Sequence, residues 1–232
     1  MGLKGFIENS LLDWDGRLSA VLFLSGCNYA CPFCHNPELA TDSPALKELE
    51  LETVLCRLAA LQHWLDGVVV TGGEPCIFGR LEMLLRMLKE RGFAVKLDTN
   101  GSRPDVLKDL LGKGLADYVA MDVKAPLVKE KYAQLAGCAA DPALPLESVA
   151  ILREAGVPHE FRTTVVPGLL SAEDLQDIAR ALGPKARYFL QGFKSGRTLS
   201  RELDGTKSCG EEFLQQAAAA CGRYVAGCGV RS

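Results

Sequence analysis

Three cysteines crowd into the stretch GCNYACPFCHN, residues 26–36: Cys27, Cys31 and Cys34, with three residues between the first two and two between the last two. Deprotonated thiols at such spacing bind soft metal ions. A structural zinc site is closed by four protein ligands, so this frame is one short. His35 is badly placed to complete it, because it directly follows Cys34 and adjacent side chains do not readily converge on one small ion. A cubane iron–sulfur cluster is ordinarily held by four thiolates. Three leave one iron open, and an open iron can bind a substrate or a cofactor. The missing ligand is then the working position.

A second group of chemically suggestive residues is TGGEP, residues 71–75. Glycines let a backbone approach a ligand closely, and a carboxylate meets a cation with a charge-assisted hydrogen bond. Alone, the segment is equally well explained as a Gly-Gly turn followed by Glu-Pro. Further polar groups fall in LDTNG (97–101), MDVK (121–124), FRTTVVPG (161–168) and LQGF (190–193).

These segments share a place in the pattern. Short apolar, β-branched runs at 20–26, 67–73, 93–101, 117–125, 159–168 and 186–193 predict strands. Amphipathic stretches at 46–65, 80–92, 104–114, 172–183 and 211–225 predict helices, as do EKYAQLAG and LPLESVAILREAG. Gly92 suits a C′ position and Pro104 an N1 position. Six strand–helix repeats are too few for an eightfold barrel and too evenly spaced for two small domains. The expectation is an α/β fold, a partial open (β/α)6 parallel barrel, with working residues at the C-terminal ends of its strands. We expect a single domain over 1–232: an N-terminal extension 1–18, a barrel core 19–193, and a C-terminal loop and helix 194–232, in which 194–210 is the best candidate for a mobile loop.

The bulk numbers set limits on partners. The chain has 232 residues, 48% hydrophobic and 24% charged, with 26 basic and 29 acidic residues for a net charge of −3. Neither nucleic acid nor an anionic membrane is indicated. MGLKGFIENSLLDWDG has no basic stretch leading into an apolar run, and no window approaches the roughly 18 unbroken apolar residues of a membrane span. The expected location is cytoplasmic. Nine cysteines, an odd number without an export signal, read as reduced thiols and metal ligands rather than a disulfide frame.

Cys27-x3-Cys31-x2-Cys34, with Phe33 just before the last cysteine, resembles the cluster motif of the radical S-adenosylmethionine (SAM) enzymes. Gly72, Gly73 and Glu74 resemble that family's GGEP motif. The resemblance implies a [4Fe-4S] cluster whose open iron chelates the amino and carboxylate groups of SAM. The reduced cluster then passes an electron to the sulfonium, the C–S bond breaks, and a 5′-deoxyadenosyl radical abstracts a hydrogen atom. It also implies that the glycines admit the methionine portion while Glu74 orients its ammonium.

The similarity runs further. GFIENSLLDWDGRLSAVLFLSGCNYACPFCHNPEL, KLDTNGS, MDVKAP, KYAQLAG and HEFRTTVVPG together resemble the glycyl-radical-enzyme activases, and within them the long form of the anaerobic ribonucleoside-triphosphate reductase activating protein. Carried over by motif, Asp98, Thr99 and Asp122 would lie near SAM and could hold a monovalent cation there. Lys124 and Arg162 would address the SAM carboxylate or an incoming peptide, and Lys124 is a candidate for a catalytic part. Asn100 belongs to the same motif, although Asn-Gly is also a common turn pair. Where the pyruvate formate-lyase activases carry a late histidine, this chain has Gln191, which favours the ribonucleotide reductase branch. A flavodoxin or ferredoxin is the implied electron donor.

Blander explanations exist for the charges. Asp98 and Asp122 could be solvated strand ends, Lys124 a surface lysine and Arg162 an ion-pair partner of Glu160, since opposite charges ending adjacent strands can satisfy one another. Cys56 and Cys76 are expected to be packed thiols, and Cys209, Cys221 and Cys228 to be scattered small core residues. His35 and Asn36 would order the cluster loop, and His63 and His159 lack supporting neighbours. Three functions remain open: an activase acting on a glycine of a larger protein, a radical enzyme acting on a small molecule such as a deazapurine precursor, and a non-enzymatic metal or electron-transfer module.

Overall fold

The computed structural model describes residues 2–231. Its strands are β1 (Leu3–Ser10), β2 (Ser19–Leu24), β3 (Gly67–Gly72), β4 (Ala94–Thr99), β5 (Tyr118–Asp122), β6 (His159–Val165), β7 (Arg187–Gly192) and β8 (Gly227–Arg231). Hydrogen bonding orders them consecutively from β1 to β8. The helices are α1 (Pro37–Ala40), α2 (Leu51–Leu61), α3 (Leu81–Glu90), α4 (Pro104–Gly112), α5 (Lys129–Ala136), α6 (Ala143–Glu154), α7 (Ala172–Leu182) and α8 (Glu211–Cys221). The class is α/β with a mostly parallel sheet, as expected.

The chain divides into two compact units. One takes in residues through Asn28, Asn36–Thr99 and Asp105–Val119. In it β2, β3 and β4 are parallel and in register, with Leu24 opposite Gly72 and Val70 opposite Leu97. These strands are buried almost throughout, which is why they read as unbroken apolar runs. α3 turns Leu81, Leu84, Leu85 and Leu88 inward at helical spacing and stops at Gly92, where φ is +81°. Trp14, from the loop after β1, is buried against Val21 and Val69, with Phe23, Ala94 and Tyr118 around it.

The other unit takes in Tyr29–His35, Asn100–Pro104 and the chain from Ala120 onward. Here β6, β7 and β8 are parallel, with Val165 opposite Gly192 and Gln191 opposite Arg231. α7 begins with a reciprocal capping box between Ser171 and Asp174 and buries Leu175, Ile178, Ala179 and Leu182.

Several expectations are corrected. The extension 1–18 holds a strand: β1 pairs antiparallel with β2, interrupted by two register shifts. β8, after the last expected helix, is also a strand, so two further strands flank the six expected ones. Both are edge strands of mixed burial, and GCGVR has too little apolar content to announce itself. The helix expected from 46 begins only at Leu51, because Leu49 N–H donates to Leu3 O at 2.7 Å and holds that stretch extended beside β1. Within 194–210, the Leu199 and Ser200 amides donate to Cys34 O (3.1 Å) and Pro32 O (2.9 Å).

Candidate cofactor site

In the first unit the site is a pair of facing turns. Gly73 N–H donates to Leu24 O at 2.9 Å and Glu74 N–H to Gly26 O at 2.8 Å, so the turn leaving β3 lies directly on the turn leaving β2 toward Cys27. Only glycine permits this approach: a Cβ on Gly73 would stand 2.0 Å from Gly26 O, and one on Gly72, whose φ is +131°, 2.1 Å from Leu24 O. Cys27 N–H is in turn bonded to Ala40 O at 3.0 Å.

Glu74 is 1% exposed. Its Oε1 accepts from Cys76 N–H at 2.9 Å and from Thr99 Oγ1 at 2.7 Å. The first bond caps the single turn Pro75–Ile77, and the second ties the carboxylate to the last residue of β4. Asp98, one residue earlier, pairs with Lys96 Nζ at 3.4 Å. Lys96 was not singled out from the sequence. It was legible only as one charge in a strand-like stretch.

In the second unit, Cys31 and Cys34 share a tight turn, with Cys34 N–H donating to Cys31 O at 3.0 Å. The turn is anchored by Ala30 N–H to Ala136 O at 2.8 Å, and Gly137 packs so close that a Cβ there would lie 1.9 Å from Ala30 O. Phe33 is 4% exposed. His35 stacks on Phe193 with ring centroids 5.2 Å apart, and partial burial together with the Lys194 charge holds its pKa below the usual histidine value. Burial pushes the Cys31 thiol up to about 11 against the pull of Lys124, with Cys34, Asp122 and Cys138 acting in the same direction as burial. Cys138 is thus a further thiol near Cys31. A lone cysteine after a helix-ending glycine gave no sequence signal.

Asp122, at the end of β5, accepts from Lys124 Nζ on Oδ2 and from Arg162 Nε on Oδ1, both at 2.9 Å. Burial alone would raise its carboxyl, but Arg162 and Lys124 outweigh that and hold it well below the usual carboxylate range. Arg162 thus pairs with Asp122, and Glu160 takes a two-pronged bond from Arg231 at 2.6 and 2.9 Å. Asn100 Oδ1 accepts from Ser102 N–H at 2.9 Å, the turn geometry its sequence suggested. Gln191 is partly exposed on β7 between Thr164 and Arg231.

Among the other cysteines, Cys76 is packed at 3% exposure, but Cys56 is exposed rather than core. α2 buries Val54, Leu55 and Leu58, and Cys56 falls on its other face. Cys221 is buried at the end of α8 and Cys228 half-buried on β8, near enough for the two thiols to influence each other. All nine cysteines are reduced thiols. Among the described residues no three Cys, His, Asp or Glu side chains are already gathered tightly enough to hold a metal ion. No helix among them is long and apolar enough to cross a membrane.

Residues 21–182 match the family described as the Radical SAM superfamily. A Methanocaldococcus jannaschii protein, provisionally named a glycyl-radical enzyme activating enzyme, is 31% identical over 228 residues, 96% of this chain and 92% of that protein. A 7-carboxy-7-deazaguanine synthase of Methanopyrus kandleri is 37% identical over 130 residues, 48% of this chain and 51% of that protein. Streptococcus suis SuiB bound to S-adenosylmethionine shares the fold with a TM-score of 0.63 at 15% identity, over 91% of this chain and 52% of SuiB. The chain thus spans about half of SuiB. Fold and family match agree: the chain belongs to the radical SAM superfamily, whose members work with a [4Fe-4S] cluster and S-adenosylmethionine.

Proposed function

We propose that the chain is a glycyl-radical-enzyme activating enzyme, an iron–sulfur oxidoreductase that removes one hydrogen atom from a glycine of a larger partner protein. The observation that carries this reading is the similarity to the M. jannaschii protein, which runs nearly end to end through both chains. Within that class, anaerobic ribonucleoside-triphosphate reductase is the favoured partner, on Gln191 and on the motifs shared with the long-form activating proteins. A flavodoxin or ferredoxin would deliver the electron, in an oxygen-poor cytoplasm.

Cys27, Cys31 and Cys34 would hold the cluster. Their chemistry fits: three reduced thiols within eight residues and no fourth in the motif to close the site. Ligation keeps a thiol deprotonated even where burial opposes it, as at Cys31. When bound, the cluster and SAM supply the one-electron cleavage of the C–S bond and the hydrogen abstraction. The residues of the chain bind and orient. Gly72 and Gly73 let the β3 turn come close to the methionine portion, and Glu74, immobilised by two donors, offers its carboxylate to the ammonium. Asp98, Thr99 and Asn100 border the same cofactor at the end of β4. Asp122 holds Lys124 and Arg162 in fixed orientation for a carboxylate, from SAM or from the incoming peptide. Phe33, packed inside the cluster loop, excludes water.

The resemblance to the deazaguanine synthase favours a second reading, a small-molecule radical enzyme, but it covers only about half of either chain. The two separate in one assay. With the cluster reconstituted and reduced without oxygen, 5′-deoxyadenosine formation should rise with a glycyl-radical subunit from the same source and with a peptide spanning its glycine loop. Turnover that saturates with a small molecule and ignores the subunit would replace the activase reading. Stoichiometric zinc without iron would replace both with a non-enzymatic metal module.

A further inference from the structure

Lys96 lies two residues before Asp98 on β4 and is 3% exposed. Alternation places residues 94, 96 and 98 on one face of the strand. On that face Ala94 packs against the Trp14, Val21 and Val69 cluster, and the Lys96 ammonium sits 6.0 Å from the centre of the Tyr118 ring. Nζ donates to the backbone oxygen of Asp13 and pairs with Asp98 Oδ1 at 3.4 Å. The side chains of the pair are 4% and 14% exposed.

An ammonium in such surroundings is costly unless it is paired, and an apolar side chain of similar length would fill the space at lower cost. Packing therefore does not explain a lysine here, whereas the Asp13 carbonyl and the charge of Asp98 together do. The carboxylate stands beside Thr99, whose hydroxyl holds Glu74, so its position bears on the same strand end. We propose that Lys96 is a positioning residue that gives Asp98 a built-in monovalent cation, so that SAM binding needs no sodium or potassium ion from solution. The proposal rests on the reading that Asp98 borders SAM, and it replaces the sequence expectation of a bound monovalent ion.

The test measures SAM affinity of the reconstituted holoprotein by anaerobic equilibrium dialysis, in potassium and in tetramethylammonium salts at equal ionic strength. The wild type should bind equally in both, within about twofold. Lys96→Met should bind roughly tenfold or more weakly in tetramethylammonium and recover when potassium or ammonium is added, since losing the charged partner of a largely buried carboxylate costs on the order of tenfold or more in affinity. Lys96→Arg, which keeps the charge, should remain indifferent to the salt. A wild type that loses several-fold affinity in tetramethylammonium overturns the proposal while leaving the SAM site intact, and this arm needs no variant to fold. Lys96→Met that matches the wild type in both salts also overturns it. A cluster-loaded wild type that binds no SAM in either salt overturns the site assignment and the proposal together.

Discussion

Thr99 Oγ1 donates to Glu74 Oε1 at 2.7 Å, and both residues are buried. One hydroxyl thereby fixes the rotamer of the carboxylate at the end of the neighbouring strand. Thr99→Val keeps the shape and removes the donor. It should cost about 1–3 kcal/mol of stability, the range for a buried charged acceptor that loses a partner. SAM affinity should fall roughly tenfold, with Thr99→Ser restoring most of both. Denaturant unfolding and equilibrium dialysis measure the two effects. Unchanged affinity would place Glu74 outside the cofactor's reach.

Gly73→Ala tests the facing turns. Its added Cβ would lie 2.0 Å from Gly26 O, a backbone atom that cannot swing away. The variant should be destabilised by about 3 kcal/mol or more, as strained backbone substitutions are. It should also retain less iron after reconstitution, because Gly26 leads directly into Cys27. Wild-type iron content in a well-folded Gly73→Ala protein would count against the link between the two turns.

Asp122 gives a pH dependence with a definite sign. Its folded pKa lies below the unfolded value of about 3.9, so the native state keeps it ionised where the unfolded chain takes up a proton. The stability this contributes is complete above about pH 5 and is lost progressively as the pH falls below the unfolded value toward the depressed folded one. The stability difference between wild type and Asp122→Asn should therefore be flat from neutral pH down to about pH 5 and shrink below that. A difference that widens on acidification, followed by urea unfolding, would contradict the ion-pair assignment.

Glu160 is 2% exposed and is bound by Arg231 from β8. Arg231→Met should destabilise by about 3–5 kcal/mol, because it takes a two-pronged cationic partner from a buried carboxylate. Replacing both partners with apolar residues of similar size should recover much of that loss. A measured loss below about 1 kcal/mol would mean that the pair behaves as a surface ion pair.

The alternation of strands and helices between Ser19 and Gly192 was legible because buried parallel strands such as AVLFL and GVVV read as continuous apolar runs. The edges were not. β1 buries little and β8 none of its residues, and without β8 there was no reason to assign Arg231 to Glu160. The three-cysteine loop, the glycine turn and the polar strand ends could be read as chemistry because each residue type was unusual for its place. Lys96 could not, since a lysine in a strand is ordinarily a solvated charge and only the fold shows it buried beside Asp98. Cys56 was misjudged for a related reason: an amphipathic helix suggests a core face but leaves one residue of that stripe ambiguous.

The most direct test of the activase assignment is an electron paramagnetic resonance spectrum, recorded without oxygen after the reduced, cluster-loaded protein is mixed with SAM and a glycyl-radical subunit from the same source. The account predicts a glycyl doublet on that subunit, absent when Cys31→Ala replaces the wild type. 5′-Deoxyadenosine accumulating with no protein radical would contradict it.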